Sequence, residues 1–142
     1  MEQEEQSMKI PDKPKKLMEQ GKIIAFATCT KDGVPNVVPM LQYWWFAEGI
    51  LVVGDMFMRA TRENVEQNGR VSFSVWDDAT GEAYKFRGTA AYETAGAAYD
   101  MANNNLHKKK PDKNFKGVMV VTVTEIHDAA RGENAGKLIA KA

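Results

Sequence analysis

Cys29 is the only cysteine among 142 residues, which excludes an internal disulfide and any cysteine-rich zinc site. The two histidines, His107 and His127, have no ligand spacing to each other or to Cys29, so no metal site is expected. Long apolar runs are missing too; nothing approaches the roughly 18 residues that a membrane helix needs. The opening MEQEEQSMKIPDKPKK is acidic and then basic, without the apolar stretch of a secretory signal. Neither sign of charge is in excess, since Lys plus Arg and Asp plus Glu are 19 each. General nucleic-acid and membrane-surface binders rely on net positive charge, so both classes are disfavoured. These absences predict a cytoplasmic protein with no metal, no nucleic-acid partner and no membrane partner.

What is present suits a folded chain. Hydrophobic residues make up 44% and charged residues 27%, an ordinary globular balance. Residues 1–11 read as a flexible leader and residues 12–142 as a single domain. PDKPKKLMEQG offers Asp12 as an N-cap, Pro14 in the first turn and Gly21 as a stop, with Leu17 and Met18 buried. Residues 22–29, KIIAFATC, are almost wholly apolar and predict a strand buried on both sides, which makes Cys29 a buried, inert thiol.

Asp32-Gly33 marks a hairpin turn. Residues 36–46 form the return strand, which is edge-like or bulged at Pro39, because proline cannot donate a ladder hydrogen bond. Residues 50–55 are a third strand. A short helix follows over 61–68, stopped by Gly69. Residues 70–76 alternate cleanly, with Val71, Phe73 and Val75 on one face, and residues 83–92 alternate again. Residues 94–106 read as a helix capped by Thr94, HKKKPDKNFKG as a solvated basic loop, and 118–126 as the last strand. Neighbouring strands without strict βαβ alternation predict a mainly β chain with short helices, folded as a six-stranded antiparallel split β-barrel.

Two stretches carry chemistry. In DMFMRATRENVEQNG, a strand end leads through a loop into a short helix headed by Arg59, Ala60, Thr61 and Arg62. A helix N-terminus carries unpaired N–H groups and partial positive charge, a guanidinium fork matches phosphate oxygens, and a hydroxyl adds a donor. The plainer alternative is that Thr61 only caps the helix while the arginines are solvated. Against that, Val65 is the one strongly apolar residue between Thr61 and Asn68. The second stretch, VVPMLQYWWF, sets Pro39 and Gln42 beside Trp44 and Trp45. Such a strand can hold a planar ring through main-chain groups and stacking. Its alternative is that the tryptophans serve only a core or a subunit interface.

The order of these parts resembles the pyridoxamine 5′-phosphate oxidase-like, FMN-binding split-barrel superfamily, and its small stand-alone flavoproteins most. The features that carry it are the DG hairpin, the P-x-V-x-P strand, V-V-G-D, M-x-M-R-x-T-x-x-N, F-R-G-T-A and the closing G-E-N-A-G-K. The resemblance implies that Val38, Pro39, Met40, Leu41 and Gln42 touch a flavin ring, largely through backbone. It implies that Arg59 and Thr61 bind the FMN phosphate, and that Gly54, Asp55, Met58 and Ala60 complete the site. Many relatives have Lys where Ala60 stands. Arg62 is the candidate to replace that charge, although on a helix it points elsewhere than residue 60 would. Vitamin B6 oxidases end in an arginine-containing substrate segment that RGENAGKLIAKA does not match, so pyridoxamine phosphate oxidation is not carried over.

An FMN flavoprotein acting in redox chemistry on a small molecule or an electron donor is the resulting expectation, with no catalytic side chain assigned. A non-enzymatic electron carrier, or a module for another planar ligand such as haem or a phosphorylated vitamer, is the alternative. A homodimer is expected as well, from the aromatic surface of Trp44, Trp45, Trp76, Tyr84 and Phe86 and from the family's placing of two FMN sites between two subunits.

Overall fold

The structure, a computed structural model, describes residues 8–142. In chain order its elements are α1 (Asp12–Glu19), β1 (Ile24–Cys29), β2 (Pro35–Met40), β3 (Tyr43–Ala47), β4 (Ile50–Asp55), α2 (Ala60–Gln67), β5 (Arg70–Trp76), β6 (Ala83–Glu93), α3 (Ala97–His107), β7 (Gly117–Asp128) and β8 (Leu138–Lys141).

The strands form one 8-stranded antiparallel sheet in the order β2-β1-β5-β6-β7-β4-β3, with β8 paired to β7. β2 and β3 follow each other in the chain yet lie at opposite ends of this order, so the barrel is split between them. This is the antiparallel split barrel expected, with two strands more than the pattern predicted. The stretch expected as one strand breaks at Leu41–Gln42, and residues 138–141 pair with the end of β7. Pro39 sits on β2 opposite Ala25, and β2 is an edge strand, where a missing N–H costs no ladder bond on the open side.

Period-2 alternation builds the main core. Val71, Phe73 and Val75 all point inward from β5, as predicted. Phe73 stacks on Phe86 at 4.6 Å between centroids and on Phe26 at 5.9 Å. Each such ring contributes about 1.5–3 kcal/mol by burial. α1 closes one end with Leu17 and Met18, both buried. Met8 and Ile10, expected in the leader, are buried in this same core; residues 1–7 of that leader lie outside the described residues.

Burial on both faces belongs to β4 rather than β1. In β1 only Ile24, Phe26 and Thr28 are buried, while Ala25, Ala27 and Cys29 are half-exposed. Cys29 is therefore no fully buried thiol. Alanine and cysteine read as apolar in sequence but present little surface to bury. On β4, Leu51 and Val53 face the main core, while Val52 joins a second cluster with Ala98, Ala102 and Leu106 of α3. Two helix starts also differ from expectation. Pro11 and Gly96 occupy the N-cap positions of α1 and α3, neither with a side-chain cap, so Asp12 and Thr94 are not caps. Among the described residues, no helix is long and apolar enough to cross a membrane.

Candidate functional site

β4 delivers the chain to the site. Its last residue, Asp55, is fully buried, and its carboxylate accepts hydrogen bonds from the Met58 N–H at 2.8 Å and the Tyr92 hydroxyl at 2.5 Å. Burial first, and the bond to Asp55 second, push the Tyr92 hydroxyl above the ordinary tyrosine range, so it stays protonated as a donor. These bonds fold Met56–Arg59 into a bend that ends at the head of α2.

α2 is docked by polar contacts, which accounts for its poor apolar face. Thr61, Asn64 and Val65 are its buried residues. Asn64 Nδ2 donates to Thr28 Oγ1 at 3.0 Å, and Asn36 Nδ2 donates to Thr61 Oγ1 at 3.1 Å. The Asn68 side chain donates to the Cys29 carbonyl, and Gly69 follows with φ of 70°, the stop the sequence predicted. Thr61 Oγ1 thus accepts from Asn36, which leaves its own proton to donate. No side chain caps α2, and the residue in the cap position is Arg59. The first-turn N–H groups are free of side-chain competition.

An open cleft of about 820 Å³ lies between this helix head, the β2–β3 break and the α3–β7 loop. From β2 and the break it is lined by Val38, Pro39, Met40, Leu41 and Gln42; from β4 onward by Gly54, Met58, Arg59, Ala60 and Thr61. All the residues expected in the site therefore line one cleft, except Asp55, which stands behind the wall and shapes it. Gly54 has a further role. A Cβ there would lie 2.4 Å from the Phe115 ring, so the absence of a side chain lets Phe115 pack against β4.

Two alternatives that the sequence left open are decided. Trp44 and Trp45 do not line the cleft; they pack on Phe115 at 6.0 Å and on Phe86 at 6.3 Å, as core aromatics do. Arg62 does not restore the charge missing at Ala60. Its guanidinium pairs with Glu66 at 2.9 Å and covers the Tyr92 ring at 4.3 Å, away from the cleft lining.

Sequence reasoning missed Asn36, Met56, Phe57 and the α3–β7 loop. HKKKPDKNFKG is not merely a solvated loop, because Lys110, Lys113, Asn114 and Lys116 line the cleft. The loop is pinned at Phe115, which is buried under Gly54 and Trp44. The Phe115 N–H donates to Asn103 Oδ1 at 2.8 Å, its carbonyl accepts from the Tyr99 hydroxyl at 2.8 Å, and the Lys116 N–H donates to the Asp55 carbonyl at 2.9 Å. An apolar residue amid a lysine run was the one signal of such an anchor in the sequence.

Comparison with known proteins identifies the family and the fold. The model of the pyridoxamine 5′-phosphate oxidase family matches residues 10–129. An uncharacterized protein of Methanocaldococcus jannaschii is 36% identical over 124 residues, covering 86% of this chain and 83% of the relative. The crystal structure of HupZ from Group A Streptococcus superposes with a TM-score of 0.79 at 27% identity, covering 89% of this chain and 99% of that one. An FMN-binding protein from Syntrophomonas wolfei shares the fold with a TM-score of 0.75 at 14% identity, over 86% and 87% of the two chains. The split barrel is the fold that these proteins share. The chain belongs to the pyridoxamine 5′-phosphate oxidase family.

Proposed function

We propose that this chain is an FMN-binding flavoprotein that carries out redox chemistry on a small molecule. The observation that carries the reading is the meeting, in one cleft, of Arg59, Thr61 and the head of α2 with residues 38–42, the end of edge strand β2 and the break after it. The lining residues fit the cofactor. They include no carboxylate to repel a phosphate, and Val38, Met40, Leu41 and Met58 give apolar walls suited to a ring. Arg59, Thr61 and the helix N–H groups would hold the phosphate; the backbone of Val38–Gln42 would border the ring. FMN, when bound, supplies the hydride or electron transfer. The chain binds and orients it, and Asp55 with Tyr92 keeps the Met56–Arg59 bend in place.

Arg59→Ala tests this reading. A charge-assisted hydrogen bond is worth about 1.5–3 kcal/mol, so FMN affinity should fall roughly tenfold to a hundredfold. Thr61→Val should cost less, because the backbone donors remain. Riboflavin, which lacks the phosphate, should bind weakly and be indifferent to Arg59→Ala. Equal losses for riboflavin and FMN would show that Arg59 supports the ring or the fold instead.

The same reading includes a homodimer. Tyr84 and Phe86, expected at an interface, are spent in the chain's own core. The surface that supports pairing is instead the outer side of β2 and its flanks, where Val34, Val37 and Leu41 are each about three-fifths exposed (60%, 64% and 59%).

A further inference from the structure

The charge of the cleft is out of step with the charge of the chain. Lys plus Arg and Asp plus Glu balance at 19 each overall, yet the cleft is lined by Arg59, Lys110, Lys113 and Lys116 and by no acidic residue. All three lysines are exposed, and none forms an ion pair with a carboxylate among the described residues. Unneutralised cations around a concave site concentrate anions there.

The lysines are also surplus to one phosphate. Arg59, Thr61 and the α2 N–H groups already supply the fork, hydroxyl and backbone donors that a phosphate monoester takes. Lys110, Lys113 and Lys116 stand on a different element, held by their own anchor. Phe115 fills the space left by Gly54, and Asn103 and Asp55 bind the backbone on either side of it. That anchor fixes Lys113 and Lys116 at the cleft without any contribution from α2.

Between the lysines and the helix head lies an apolar lip. Met56 and Met58 are half-buried, and Phe57 is 88% exposed with its ring free to receive a flat partner. A cleft of about 820 Å³ is near the top of the ~300–1,000 Å³ range of small-molecule sites, which leaves room beside a cofactor.

We infer that the lysine loop is a second anion site, separate from the phosphate site, which selects a small-molecule substrate with an apolar, planar body and one or more acidic groups. The inference rests on the flavin reading above for the identity of the first ligand. Phosphate ester and carboxylate share the chemistry that the lysines recognise.

A matched pair of probes tests it: naphthalene-2,6-dicarboxylate and the neutral 2,6-naphthalenedimethanol, titrated by fluorescence into the FMN-loaded protein. The dicarboxylate should bind more tightly than the diol, with an affinity that falls as salt rises. In the triple variant Lys110→Gln/Lys113→Gln/Lys116→Gln, dicarboxylate affinity should fall roughly tenfold or more. Diol and FMN affinities should stay within about twofold, and the Lys→Arg triple variant should keep dicarboxylate binding. The lysines are exposed, so the thermal melt should be unchanged.

If the Gln variant weakens FMN as Arg59→Ala does, the lysines serve the cofactor phosphate and the inference is wrong. Equal loss of both probes, or loss of neither, overturns it as well. The same titration without flavin separates the two readings. Lysine-dependent preference for the dicarboxylate in a chain that fails to bind FMN keeps the anion site and discards the flavin.

Discussion

Gly54 and Phe115 meet face to face: the position of a Cβ on Gly54 lies 2.4 Å from the Phe115 ring. Gly54 has no positive φ, so space alone demands glycine there. This one missing side chain seats the α3–β7 loop on β4 and brings its lysines to the cleft.

Gly54→Ala should therefore destabilise the protein by about 1–3 kcal/mol through overpacking, measured by urea unfolding. Phe115→Leu in the same chain should recover part of the loss, since the smaller side chain makes room. Strictly additive losses would mean that the two residues do not compete for this space.

Asp55 should matter through the bend it holds. Asp55→Ala leaves the Met58 N–H and the Tyr92 hydroxyl without their partner, at a cost of about 2–3 kcal/mol. FMN affinity should fall with it, because Arg59 follows Met58 directly. Tyr92→Phe should be milder, since it removes one donor and leaves the Met58 bond. An Asp55→Ala protein with unchanged stability would refute the role.

Alkaline stability should depend on Tyr43. Its hydroxyl donates to the Lys22 carbonyl, with the Met18 carbonyl at 3.2 Å beside it, and burial pushes it up to about 12. A group that loses its proton more readily when unfolded stabilises the fold while it stays protonated. That contribution is whole below about pH 10, where the unfolded tyrosine titrates, and is lost between about 10 and 12. Its size is on the order of 2 kcal/mol. Urea midpoints should fall over this window, and Tyr43→Phe should flatten part of the fall; an identical slope in the variant would exclude Tyr43 as a source.

The outer side of β2 should carry the homodimer contact. Val37→Lys places a charge at an exposed apolar position on the edge strand, and like charges from two copies would oppose pairing. Light scattering at micromolar concentration should show a dimer for the wild type and a monomer for the variant. A wild-type monomer with flavin bound would remove the dimer from the proposal.

Elements with strong local patterns were legible from sequence. The alternation of Val71, Phe73 and Val75, the Asp32-Gly33 turn, the stop at Gly69 and the burial of Leu17 and Met18 are all settled within a few neighbouring residues, where periodicity and turn chemistry act. The Val38–Gln42 and Gly54–Thr61 segments were legible together only through their family-like order along the chain, and in the structure both line one cleft, Asp55 excepted. Tertiary structure decided what depends on residues far apart. The break at Leu41–Gln42 follows from β2 and β3 joining opposite ends of the sheet. Arg62 was drawn off the site by Tyr92, thirty positions on, as well as by its neighbour Glu66. The lysines of the α3–β7 loop reached the cleft because Phe115 fits where Gly54 has no side chain, a match of shape that no local composition records.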